Sequence, residues 1–336
     1  MSKSVSIKDV AKKVGVSTAL VSYVISGKEK EKRVGKEIAD KIREAAKELN
    51  YNPNQIARSL RRGSTKTIGL IVADIANPFF GHLVRIIEDE AAKSGYTVIF
   101  GSSDEKSDKS SSLIDTFLHR KVDGLIIVPS EGDQGKIGDL INDGVPLVLM
   151  DRYFPDLNVC HVGLNNYQAA FDAANHLIKN GSKSITMVAY KTPLIHMQER
   201  IRGYKEAMKS SDLNSFTRVI EVPYFLSRNE AQNYIEKSIR NIENVEAIIF
   251  ATNSLSLSGL YALNRMPVKI PEELKIVGFD GNEAFDFFYA PLTYVEQPLG
   301  EIGAESVRLL LGLIEGKMEI LQLDLNHTLN VRKSSK

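Results

Sequence analysis

Apolar positions in the first fifty residues recur at helical spacing. Ile7, Val10, Ala11 and Val14 fall three or four apart, which predicts a helix over 7–14. Ser6 followed by Asp9 forms a capping pair at its start, and Gly15 breaks it. Ser17 can cap a second helix running to about Ile25, with Leu20, Val21 and Val24 inward. Gly27 ends that one. A third helix is expected over 36–49, with Ile38, Ile42, Ala45, Ala46 and Leu49 on its inner face. From Thr67 the rhythm changes, and short apolar runs alternate with amphipathic stretches. Ten strands are expected, over 68–74, 98–103, 124–129, 146–151, 161–164, 184–189, 218–223, 247–252, 275–279 and 293–296. Helices such as 80–94 and 167–180 lie between most of them. The alternation predicts parallel sheets covered by helices on both faces, and ten strands fit two such units better than one.

The expected fold class is therefore α/β. An all-α head occupies 1–53 and a linker or hinge helix 54–66. A body over 67–336 holds two doubly wound parallel-sheet subdomains, about 67–163 with 295–325, and about 164–294 with 326–336. A length of 336 residues suits several domains. The single cysteine, Cys160, makes no internal disulfide, which fits a reducing cytoplasm. No apolar run reaches the length of a membrane span, and residues 1–13 lack the apolar core of a signal peptide.

Charge sharpens the division. The net charge is +1, but residues 1–66 hold 16 of the 43 Lys/Arg and only 7 of the 42 Asp/Glu. A basic head on an acidic body points to a head that meets a polyanion. Its order of helix, short glycine turn, helix and brace is the helix-turn-helix plan. In that plan the second helix enters the major groove and residues near its start reach base edges. Here these are Ser17, Thr18, Ala19, Ser22 and Tyr23. The hydroxyls can bond bases or phosphates, and Ala19 can meet a thymine methyl.

The stretches "SIKDVAKKVGVSTALVSYVISGK" and "ELNYNPNQIARSLRRGSTKTIGL" resemble the headpiece of the LacI/GalR family of bacterial transcription regulators. The resemblance runs over essentially the whole chain. It implies a homodimer on a pseudo-palindromic, double-stranded operator. Two departures are Tyr23, where the family more often has Arg or His, and Gly35 in place of a Ser/Thr-like cap. Residues 54–62 are too few for a stable isolated helix, so a helix there is expected only on DNA beside a dimer partner. Asn54 and Arg58 are expected DNA contacts. Arg58, Arg61 and Arg62 suit phosphates. Leu60 matches the family's hinge leucine, which wedges into the minor groove and kinks the duplex.

Ligands in doubly wound folds sit outside the carboxyl ends of the strands. The residues there are Asn77-Pro-Phe-Phe80, Asp151-Arg152, Asn165, Tyr224 or Phe225, Asn253, Asp280 and Gln297, with Arg200 opening a helix after the sixth strand. Singly, Phe79 and Phe80 fit a core, Asp151-Arg152 a surface ion pair and Asp280 a helix cap. Together they suit a sugar-like ligand, with aromatic faces for the ring and forked side chains for vicinal hydroxyls. "NPFF", "DR", "QERIRGY", "VGFDG" and "EQP" resemble, in order, periplasmic ribose- and sugar-binding proteins. That likeness implies effector contacts at Asn77, Phe79, Phe80, Arg152, Arg200, Asn253, Asp280 and Gln297, and Tyr224 joins them from its strand end. Ser254, where the family usually has Asp, and the apolar segment 192–198 depart from the pattern.

The expected function is a sequence-specific regulator, a repressor, controlled by a small sugar-like effector. A purine or sugar phosphate is the alternative ligand. An enzyme is less favoured, because no GxxxxGK, GxGxxG or GxSxG stretch stands at a strand end. A transport-type binding protein is less favoured because of the basic head. The six histidines show no metal spacing; His196 could line the pocket, but a solvated loop position is the favoured reading. No catalytic residue, cofactor, metal or membrane partner is expected.

Overall fold

The computed structural model describes residues 5–51 and 63–336. It divides into two compact units, Met1–Thr65 and Lys66–Lys336. The expected hinge helix over 54–62, with Asn54, Arg58 and Leu60, lies outside the described residues.

The head holds α1 (Ile7–Val14), α2 (Thr18–Ile25) and α3 (Lys36–Glu48). At the start of α1 the Asp9 carboxylate accepts the Ser6 N–H at 2.8 Å and its hydroxyl at 2.7 Å. Gly15 closes α1 in the left-handed region at φ 76°, a conformation glycine adopts without a Cβ penalty. The N–H groups of Gly15 and Val16 both donate to the Ala11 carbonyl, at 2.9 and 3.0 Å. This turn swings the chain into α2, whose start is capped by Ser17 Oγ accepting from the Leu20 N–H at 3.2 Å. Val10, Ala11, Val21, Val24, Ala39, Ile42, Ala45 and Ala46 form one small core, with Leu20 half-buried beside it.

The body has two six-stranded sheets. The first contains β1 (Thr67–Val72), β2 (Thr97–Ser102), β3 (Gly124–Ile127), β4 (Leu147–Met150), β5 (Cys160–Leu164) and β11 (Gln322–Leu325). Their order is β11-β5-β4-β3-β1-β2, and every pairing is parallel. The second contains β6 (Ile185–Lys191), β7 (Arg218–Pro223), β8 (Ala247–Phe250), β9 (Lys275–Phe279), β10 (Thr293–Glu296) and β12 (Thr328–Asn330), ordered β12-β10-β9-β8-β6-β7. Only the β10–β12 pairing is antiparallel. Both orders reverse once, between β1 and β3 and between β6 and β8, and such a reversal opens a crevice at the strands' carboxyl ends. β3, β4 and β8 are buried throughout, as helices on both faces require.

All ten expected strands are present. β11 and β12, which pair at opposite sheet edges, were not expected. The chain crosses between lobes after β5, which runs to Leu164, after β10, whose Tyr294 and Val295 pair with Gly278 and Phe279 of β9, and between β11 and β12.

Each lobe has its own core. In the first, α4 (Pro78–Lys93) and α12 (Leu299–Ile314) pack Phe80, Leu83 and Ile87 with Ile302, Val307 and Leu310. In the second, α7 (Asn166–Lys179) and α8 (Ile195–Ser210) bring Ala170, Ala173 and Leu177 against Met197, Tyr204 and Met208. These helices approach closely at Gly203, where an added Cβ would lie 2.0 Å from the Tyr167 carbonyl oxygen. That close approach fixes α8 and the Arg200 it carries. No helix among the described residues is long and apolar enough to cross a membrane.

Candidate functional site

The first candidate site is the outward face of α2. Its inner positions, Val21 and Val24, are buried, and its opening residues Ser17, Thr18 and Ala19 are exposed. Ser22 is half-buried and Tyr23 is 36% exposed. The helix thus presents a narrow face of small hydroxyl and methyl groups. Small side chains let a helix approach a groove floor, and hydroxyls serve as donors or acceptors there.

The second is the crevice between the two lobes of the body. It has a volume of about 320 Å³. Residues after β1 (Asn77, Phe79, Phe80), after β4 (Arg152), on α8 (Arg200), after β7 (Tyr224), after β9 (Asp280) and after β10 (Gln297) all line it. Sequence reading had named each of these. Asn77 also caps α4, accepting the Phe79 N–H at 3.1 Å, and Phe79 and Phe80 meet edge to face at 4.9 Å.

Two expected residues lie elsewhere. Asn253 opens α10 (Asn253–Leu263) and donates to the Asp280 carbonyl at 3.0 Å. It faces a neighbouring cavity of about 820 Å³, which shares Phe79, Asp280 and Gln297 with the crevice. Asn165 caps α7 by accepting the Gln168 N–H at 3.0 Å. The favoured reading of His196 as a solvated loop residue is corrected, and the structure agrees with the alternative that it lines the pocket. It lies in the first turn of α8, is buried and lines the crevice. The apolar residues around it, Leu194 and Met197, turn into the core and draw it inside. Sequence reading also missed Glu105, Asp74, Asp104, Tyr190 and Thr252 on the lining. Glu105 lies three residues beyond the end of β2, in the loop that follows it.

The crevice is held by charge pairing. Arg152 grips Glu105 with two hydrogen bonds, each 2.6 Å, and its Nε lies 3.3 Å from Asp151 Oδ2 without hydrogen-bond alignment. Bidentate, charge-assisted pairs of this kind are among the strongest polar contacts. Tyr224, from the other lobe, donates its hydroxyl to Glu105 Oε1 at 2.5 Å. Tyr190 packs on Tyr224 with centroids 4.7 Å apart, and Phe225, 80% exposed, meets its edge at 5.6 Å. Arg200, only 2% exposed, donates through Nε to Asn166 Oδ1 at 2.8 Å and through a terminal nitrogen to the Ala251 carbonyl. Its guanidinium lies over the Phe279 ring at 4.4 Å. Gln297 donates to Asp280 Oδ1 at 2.7 Å.

Ionisation follows this pairing. Burial pushes Glu105 up, but Arg152 and the Tyr224 hydroxyl more than offset it and hold the carboxylate below its usual range. Burial pushes Asp151 and Asp280 up, against the nearby guanidinium groups. Burial, then the positive charges of Arg152 and Arg200, hold His196 neutral. Burial raises Tyr190 to about 12. Asp104, Glu105, Asp151 and Asp280 all have left-handed backbone, with φ from 51° to 67°. Non-glycine residues in that region are uncommon and gather at functional sites. His196 Nδ1 and Gln297 Oε1 are buried without a hydrogen-bond partner, and buried polar atoms left so are rare in a finished core. Among the described residues no group of three or more His, Cys, Asp or Glu could hold a metal ion.

Known proteins match both regions. Residues 6–54 match the family model of bacterial regulatory proteins, lacI family, and residues 174–335 that of a periplasmic binding protein-like domain. The ribose operon repressor of Halalkalibacterium halodurans is 32% identical over 331 residues, covering 98% of this chain and 97% of that one. Catabolite control protein A of Priestia megaterium is 31% identical over 339 residues, covering 99% and 100%. Among solved structures, the lac repressor dimer bound to operator and the anti-inducer ONPF superposes with a TM-score of 0.88 over 99% of each chain, at 22% identity, a likeness of fold.

Proposed function

The chain belongs to the LacI family of bacterial regulatory proteins, and from that premise we propose an operator-binding repressor whose affinity for DNA is set by a small, polyhydroxylated effector in the body's crevice. Ser17, Thr18, Ala19, Ser22 and Tyr23 read bases, assisted by Asn54, Arg58 and Leu60. Two heads of a homodimer engage a pseudo-palindromic duplex. A regulator of bacterial DNA works in the cytoplasm. The effector lies among Asn77, Phe79, Phe80, Arg152, Arg200, Tyr224, Asp280 and Gln297, with Asn253 supporting Asp280 from behind.

The observation that carries this reading is the convergence of strand ends from both lobes on one crevice with buried, partly unsatisfied polar groups. A molecule bound between two lobes favours one relative position of them, and it shifts DNA affinity by its differential affinity for the two states. A pentose is the first ligand to test, because one relative is named for a ribose operon. The aromatic wall of Tyr190, Tyr224 and Phe225, whose rings meet tilted and edge-on, favours a second reading, a flat purine ring.

The test is fluorescence anisotropy of labelled operator with the full-length protein, against free sugars, sugar phosphates, nucleosides and purines. One compound should change operator affinity by at least about 5-fold, the lower end of usual coupling. Retained operator binding with no response to any compound would remove the effector reading. Failure to prefer any natural upstream duplex over random DNA would remove the repressor reading.

A further inference from the structure

Glu105 occupies the place in the crevice where an anionic ligand would be held. Its carboxylate fills the fork of Arg152 through two 2.6 Å bonds and also receives the Tyr224 hydroxyl at 2.5 Å. One side of that contact comes from the loop after β2 and the other from the loop after β7, so the carboxylate bridges the two lobes. Successive left-handed residues, Asp104 at φ 51° and Glu105 at φ 58°, turn the chain there. Arg200, the crevice's other cation, is committed to Asn166 and the Ala251 carbonyl and pressed on Phe279. Asp74, Asp104, Asp151 and Asp280 complete the lining; Asp104 is paired with Lys109, and the other carboxylates face two guanidinium groups.

We propose that Glu105 is a built-in counterion that closes Arg152 to anions and restricts the effector to uncharged or cationic hydroxylated molecules. This rests on the reading of the crevice as an effector site and narrows it. A phosphate or carboxylate entering the crevice must displace a bidentate pair already made and lie beside like charges, which is strongly unfavourable in a desolvated site. A neutral polyol meets none of that opposition. It gains Glu105, Asp280 and Asp151 as acceptors, and a neutral imidazole at His196 as donor and acceptor. Arg152 is then a positioning residue that orients Glu105, and Glu105 is the one that selects.

The experiment uses the full-length protein, Glu105→Ala and Glu105→Gln, and the Glu105→Ala/Arg152→Gln double variant. Thermal unfolding is followed with inorganic phosphate or acetate against chloride at matched ionic strength. Removing the carboxylate leaves Arg152 open, so either anion should stabilise Glu105→Ala by several degrees through mass action. The parent and the double variant should not respond. Glu105→Gln keeps the size of the side chain and should respond partly, so it carries the test if the alanine variant fails to fold. In parallel, operator binding by the parent is measured with D-ribose against D-ribose 5-phosphate, and D-glucose against D-glucose 6-phosphate. Where the neutral sugar acts, its phosphate should act at least about 100-fold more weakly, and Glu105→Ala should narrow that gap. Equal stabilisation of parent and Glu105→Ala by phosphate, or a sugar phosphate acting on the parent as well as the free sugar, overturns the proposal. If no sugar of either kind moves operator affinity, the effector reading loses its support, while the anion response still decides the role of Glu105.

Discussion

The outward face of α2 and the crevice of the body are both polar, but they are made in opposite ways. The head sets small hydroxyl groups at the surface over an apolar core of about eight side chains and leaves them for a partner to meet. The crevice buries its charges and makes them answer one another before any ligand arrives. A site of the first kind draws its affinity from a large external charge, so it is sensitive to salt. A site of the second kind is preorganised, and its residues support the fold as well as the ligand.

Salt should separate the two most strongly. Operator affinity should fall by about 10³- to 10⁵-fold between 50 and 200 mM salt if the dimer makes about 6–10 phosphate contacts. Effector affinity in the crevice, measured by calorimetry over the same range, should change by less than about 2-fold, because buried pairs are weakly screened. Equal slopes would break the comparison.

Removing a charge from each region comes next. Arg200→Leu leaves Asn166 and the Ala251 carbonyl without their donor and takes one positive charge from beside the buried Asp280 and Asp151. Breaking a buried polar pairing of this kind costs about 3–5 kcal/mol, which urea unfolding of the body should read. Lys41→Ala breaks the exposed pair with Glu37 in the head and should leave the unfolding midpoint where it was.

Acid should sharpen the contrast. Residues 1–66 contain no histidine, whereas burial lowers His161 in the body to about 4 from 6.5. Asp324, 4.0 Å away, is more than half exposed and does not offset this. The unfolded chain therefore takes up a proton before the folded one. The neutral histidine's contribution is complete above pH 6.5 and is lost as pH falls toward 4. The loss should approach about 3 kcal/mol, read as the difference between the parent and His161→Gln in urea titrations at several pH values. A difference that does not change with pH would remove the assignment.

The smallest effects belong to α2. Tyr23→Ala should cost about 1–3 kcal/mol of specific binding if the ring meets a base edge, with little change on random DNA. Ser17→Ala loses the cap on Leu20 and should cost the head about 1 kcal/mol, seen as a lower melting temperature of the head's helical signal. If Tyr23→Ala weakens both kinds of DNA equally, the residue meets phosphate and not a base.

The sequence revealed the head and ten strands because the helices carry a strong period and the strands are apolar runs set between amphipathic stretches. It missed β11 and β12 because β12 has only three residues and the polar–apolar alternation of Gln322–Leu325 is too short to stand out in a polar tail. They become strands by pairing with β5 and β10, far away in the chain. The crevice was legible wherever a residue follows a strand, as at Arg152, Asp280 and Gln297. Glu105 went unread because Asp104-Glu105-Lys106 looks like any charged turn, and nothing local says that Arg152 and Tyr224 converge on it. His196 was misread for a related reason. Its burial is set by where Leu194 and Met197 pack, and a loop histidine carries no sign of that.

The interleaving of the lobes also bears on how the protein is made. Translation delivers β1 to β5 early, but α12, which supplies Ile302, Val307, Leu309 and Leu310 to the first lobe's core, emerges only after the whole of β6 to β10. While the second lobe is being synthesised, α4 covers the β1–β2 end of one sheet face, but its β3–β5 end is bare and the β5 edge is unpaired. Unpaired edges and bare apolar faces invite wrong association. A ribosome stalled anywhere between residues 165 and 298 therefore carries no finished lobe.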